Sequence, residues 1–310
     1  MKQPLGVGDI LTESFRFGGS RIATVLRVVW APLVVLAVIW GGAMFAVFGS
    51  DFAAFETMTE EEAVLFILER LFTPSTMLAF VALGLVSAFV YSGAMAAIFR
   101  LVALDEEPQG AFFVRFDGPS VRTGVAAILY NAIFYVIAGI AGWIAVSRAG
   151  GAPDLAAIFA DEPDADEALA FAQIAGLTFL ISILPLAYLG VKLTPFLPGT
   201  ASENRLLFVN SFSLTAGYFW SILGLFVVLF AAVIGLSLAF ELLQGAVQLL
   251  QTAISVVGGE AGKALASLIF GLVILVATIA FQLFLTGVQL AAPALVYRRL
   301  DDIKNGSEPA

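Results

Sequence analysis

Six stretches of this chain are each long and apolar enough to cross a bilayer, and nothing else in the sequence limits its fold as tightly. A hydrocarbon core about 30 Å thick needs roughly 20 mostly apolar residues per helix. The stretches run over residues 28–49, 77–99, 121–146, 169–191, 218–240 and 268–296, and the only charge they carry is Arg122, at the head of the third. Composition agrees: 60% of residues are hydrophobic and 13% charged, with a mean hydropathy of +0.99, far from the balance of a soluble domain. Pro32, Pro185 and Pro293 lie inside these stretches, which membrane helices tolerate when neighbours satisfy the freed carbonyls.

Charge placement orients the helices. With loops assigned alternately to the two sides, twelve of the 15 Lys and Arg residues fall together, leaving only Arg70, Arg148 and Lys263 on the other side. The positive-inside rule then predicts that both termini are cytoplasmic. The acidic clusters at 60–62 and 161–167 face outward, where solvation of a loop is their expected work. The first apolar run starts late and lacks a cleavage-like site, so it is expected to remain in place rather than act as a leader.

The absence of Cys and His removes disulfides, Cys or His metal sites, and nucleophile pairs built on histidine. No cofactor is expected. Poised titratable groups at bilayer depth, which acid–base catalysis or an ion path would need, are also lacking. The uncharged polar residues there, Ser87, Ser92, Asn131, Gln282 and Gln289, are expected to act as interhelical hydrogen-bonding groups. Gly84, Ala88, Ser92 and Ala96 form a small-residue stripe that invites close approach by another helix.

A polar, aromatic, glycine-punctuated phrase precedes three of the apolar pairs: ESFRFGGSRIATVL from Glu13, VRFDGPSVRTGVA from Val114 and NSFSLTAGYFWSIL from Asn210. The phrases recur at about a third of the chain length, the signature of an internal repeat. The expected fold is all-α and integral to the membrane: six transmembrane helices as three helical hairpins, each preceded by a cytoplasmic interfacial amphipathic segment. These would form a single transmembrane domain over residues 1–297, with approximate repeats 5–104, 105–199 and 200–297, and a short cytoplasmic tail at 298–310. The leading segments read as helices in the headgroup zone, where Arg beside Phe is suited. Gly18 and Gly19 are expected to break the first of them. The Gln244, Gln248, Gln251 and Ser255 stripe fits either a helix resting on the outer surface or a continued fifth helix.

Residues Lys192, Glu203, Ser211, Phe212, Leu214, Thr215, Gly217, Phe219, Trp220 and Ile222 together resemble the hallmark segment of a bacterial polytopic membrane-protein superfamily. That superfamily includes the membrane domain of some glycerophosphodiester phosphodiesterases. The opening PLGVGDILTESFRF and the closing ALVYRRL are similar to its two ends. The resemblance implies this fold without the catalytic domain, whose chemistry relies on histidines. Phe212 and Asn210 depart from the Trp and the basic residue common at those positions.

The candidate lipid or partner contacts are Ser211, Phe212, Thr215, Gly217, Phe219, Trp220, Arg16 and Arg115. The functional expectation is a multi-pass protein of the bacterial inner membrane without catalytic activity, organising lipid or a membrane partner through its interfacial helices. Membrane lipids and another membrane protein are the expected partners, and nucleic acid is not. A transporter or channel for a small or amphiphilic solute is the alternative; it lacks support from inverted repeats or a broken helix.

Overall fold

The structure is a computed structural model that describes residues 4–49, 58–59, 63, 66–67, 70–71, 73–110, 112–151 and 165–306, with the backbone alone at 165, 168 and 255–266. Most of both acidic clusters and the last four residues of the tail lie outside it. The described residues form helices and connecting turns, with no strand among them.

In chain order the helices are α1 (Val7–Ser20), α2 (Ile22–Phe48), α3 (Pro74–Leu104), α4 (Gly118–Ala149), α5 (Ala165–Lys192), α6 (Phe196–Glu203), α7 (Phe208–Leu214) and α8 (Phe219–Asn305). They contain six candidate spans: α2, α3, α4, Leu169–Glu203, and two within α8, Phe219–Ile254 and Ser267–Asn305. The chain is therefore a multi-pass membrane protein of all-α class.

Helical backbone continues through α8, yet the chain reverses inside it. Phe240 and Phe281 stack with centroids 4.3 Å apart, and Gln244 Nε2 donates to Thr278 Oγ1 at 3.0 Å. The two limbs thus lie side by side and antiparallel. The polar stripe at Gln244 and Gln251 belongs to a continued helix and is used between the limbs. Glu241 consequently sits within α8. At about 1.5 Å per residue the 36-residue first limb is about 54 Å long, well beyond a hydrocarbon core.

Local sequence sets the helix starts. Thr73 caps α3, accepting from Thr76 N–H at 3.3 Å ahead of Pro74, and Asp117 Oδ1 caps α4 by accepting from Ser120 N–H at 3.0 Å. Both are side-chain caps, followed by proline at the first helical position in α3 and at the second in α4.

Two expectations are corrected. The paired glycines do not break α1, which runs through both to Ser20. Gly18 instead lets α1 meet the second limb of α8, because a Cβ there would fall 2.6 Å from Val288 Cγ2 and 2.8 Å from the Phe284 carbonyl oxygen. The second leading segment, residues 112–116, is not helical. It passes over α3 at Gly93, so close to the Phe113 carbonyl that a Cβ would stand 2.0 Å away. The chain immediately ahead of the first and third pairs is helical, in α1 and α7, which leaves a twofold echo where the sequence reads as threefold.

Packing follows small residues. A Cβ on Gly124 of α4 would lie 3.1 Å from Ser92 Oγ on the α3 stripe, and one on Gly84 would lie 2.8 Å from Tyr135 Oη. α3 therefore packs closely on α4 as well as on α2, where Trp40 Nε1 donates to Ser87 Oγ at 2.9 Å. The main apolar core gathers near one end, around Ile98, Phe99, Phe113, Leu207, Leu225 and Val296. Elsewhere the spans turn large apolar side chains such as Val38, Trp143 and Leu184 outward, the surface a lipid solvent requires.

Candidate lipid-facing site

One end of the bundle is laced by charge. Arg21 pairs with Glu107 at 2.7 Å, Arg100 with Glu106 at 2.6 Å, Arg298 with Asp105 at 3.6 Å and Arg299 with Glu13 at 3.3 Å. Arg100 also donates to the Ala201 carbonyl at 3.2 Å, and Tyr297 Oη donates to Glu203 at 3.0 Å. These contacts bring α1, the 105–117 segment, α6 and the last turns of α3 and α8 to the same end. The Asp117 carboxyl sits beside them. Burial pushes it up, but hydrogen bonds from Ser120 and the charges of Arg115 and Arg100 outweigh that and hold it below the usual aspartate range.

The eight candidate contact residues do not form one site. Ser211 and Thr215 are fully buried, and each hydroxyl is used within the chain, Ser211 Oγ donating to the Leu207 carbonyl at 2.8 Å and Thr215 Oγ1 to the Ser211 carbonyl at 2.9 Å. Phe212 packs edge-on to Phe208 at 5.9 Å beside the Ala126, Leu193 and Phe196 cluster. Gly217, at φ 87, supplies the left-handed turn between α7 and α8. Arg115 donates to the Phe112 and Gln109 carbonyls and lies over the Phe113 ring at 4.6 Å. Arg16 is exposed, in a cleft with Arg21 and Arg298.

Trp220 remains available, with the half-buried Phe219 beside it. Trp220 is 78% exposed; its ring meets Phe219 edge-on at 5.2 Å, and Phe219 meets Tyr188 of α5 at 5.8 Å. Lys192 Nζ lies 5.9 Å from the Tyr188 ring centroid and has no carboxylate partner among the described residues. A cation and three aromatic rings thus stand where α5 ends and α8 begins.

Below that cluster α5 and α8 touch only sparsely, and two cavities open between them. One of about 450 Å³ reaches inward to Tyr130 and Pro293. The other, of about 750 Å³, runs along Phe179, Val227 and Phe230. They share Ala187, Phe226 and Gln289, so they make one apolar groove. Gln289 is exposed in it, with no side-chain partner among the described residues. Pro293, four residues on, has no N–H to return to the Gln289 carbonyl. The sequence offers Gln289 only as a polar residue within a span and Lys192 only as the first residue of the hallmark-like segment; the proline four residues after a glutamine was the available signal.

No protein family, curated protein or solved structure matches the chain.

Proposed function

We propose that this chain is a non-catalytic protein of the bacterial inner membrane, with both termini cytoplasmic, that organises lipid or a membrane partner through the segments at its charged end. Membership of the superfamily it resembles is part of the proposal and rests on the residues from Lys192 to Ile222. The observation that carries the reading is the exposed Trp220 and Tyr188, bridged by the half-buried Phe219, beside a Lys192 that has no carboxylate partner among the described residues. Amphipathic rings next to a cation are what the headgroup zone selects. Ser211, Thr215 and Gly217 serve by fixing the turn that presents this cluster.

The test is phospholipid retained by the full chain after purification in mild detergent. Replacing Phe219 and Trp220 together with alanine should lower the retained amount while the chain stays folded. Equal retention by the variant and the native chain would contradict the reading. Passage of an amphiphilic solute is the second reading, favoured by the groove between α5 and α8, and flux in proteoliposomes would support it.

A further inference from the structure

Resting on that reading, we infer that the groove between α5 and α8 is a binding site for a single anionic phospholipid, its phosphate at Lys192 and an acyl chain along Ala187, Val227 and Phe230.

Three features of the groove select that occupant. The first is length and polarity. From Leu193 down to Phe179 it follows α5 for about 21 Å, more than the roughly 15 Å depth of one leaflet's hydrocarbon. Its walls are apolar along most of that run, which fits an extended chain and excludes a hydrated solute from most of it.

The second is charge. Arg21, Arg100, Arg205, Arg298 and Arg299 have carboxylate partners; Arg16, Arg27, Arg122 and Lys192 have none among the described residues, and of these four Lys192 is the one that adjoins the groove. Lys192, one residue past the groove-lining Val191, meets the face of Tyr188 and no other partner among the described residues. An unneutralised ammonium beside interfacial rings is complementary to a phosphate, and an anionic headgroup has no ammonium of its own to compete for it.

The third is the polar content of the groove. The Gln289 amide, the Gln289 carbonyl freed by Pro293 and the half-buried Tyr130 hydroxyl all border it, and neither side chain has a hydrogen-bond partner among the described residues. Leaving such groups unpaired in an apolar setting is unfavourable. Gln289 lies about 13 Å along α8 from Arg298, below the charged end and above the deep apolar wall. The ester oxygens at the top of a phospholipid's chains are acceptors for the amide and hydroxyl donors at that level.

The test is native mass spectrometry of the full chain with phosphatidylglycerol or phosphatidylcholine added. The native chain should hold one phospholipid and prefer phosphatidylglycerol. Lys192→Gln should lower that preference about fivefold, the effect of one basic residue at an anionic surface. Val227→Trp should lower occupancy by both lipids; Val227 is 60% exposed, so the larger ring enters the groove without crowding the core. If Val227→Trp impairs folding, Gln289→Leu serves instead and should also lower occupancy by both. An unchanged preference in Lys192→Gln, or unchanged occupancy in the folded groove variant, overturns the inference. Lipid lost on replacing Phe219 and Trp220 but kept in Val227→Trp would leave the interfacial function standing and remove the groove. A native chain that retains no phospholipid at all contradicts both.

Discussion

Gln251 Nε2 donates to Ser267 Oγ at 3.1 Å although the two residues are 16 positions apart in one continuous run of helix. A straight helix would hold them about 24 Å apart, so the run turns back between them. Cysteines at 244 and 278, introduced into a chain with no native thiol, should be joined within one molecule by a short bifunctional maleimide. Failure to link, with each site reactive alone, would show that the two limbs do not lie together.

The contact between α1 and α8 makes opposite predictions for neighbouring glycines. Gly18→Ala forces a methyl against the Phe284 carbonyl and Val288 and should lower stability by about 1–3 kcal/mol, the usual effect of overpacking. At Gly19 a Cβ meets nothing within 4 Å, so Gly19→Ala should be neutral or raise stability by up to about 1 kcal/mol through helix propensity. Thermal melting in detergent separates the two. Equal effects would mean that α1 is not docked there.

Asp117 ties the start of α4 to pH. Removing its cap in Asp117→Ala should be destabilising by about 1 kcal/mol, with Asp117→Asn retaining most of the capping bond. Its folded carboxyl is held below the ordinary value of 3.8. Its contribution is therefore complete above that value and is lost as pH falls through the folded one. Acid melts of the native chain and Asp117→Asn should converge only at the acid end. A gap that stays constant down through that range would contradict the assigned depression.

Topology is open to direct labelling. Single cysteines at Gln109, Val209 and Lys304, all exposed at the charged end, should resist an impermeant thiol reagent applied to intact cells, whereas ones at Thr59 and Arg148 should react. Reaction at Val209 would invert the assignment of sides.

The spans were legible because run length and charge placement act alone: about 20 apolar residues need no partner to be read as a membrane helix. The continued fifth helix was legible only as one of two options, since a glutamine stripe looks alike whether it meets water or Thr278. The unbroken α1 was not legible. Gly18 weakens a helix by propensity, and only the approach of Phe284 and Val288 explains it. In the candidate site Phe219 and Trp220 could be picked out by residue type. The groove could not, because it exists between helices remote in sequence, and Lys192 matters only once it is seen to adjoin that groove without a carboxylate partner among the described residues.

The most direct measurement is a density map of the full chain in nanodiscs containing phosphatidylglycerol. Elongated density lying between α5 and α8, with its head at Lys192 and passing Gln289, is the predicted result. Closure of α5 onto α8, with Val227 and Phe230 packed against Phe179 and no room for a chain, would contradict it.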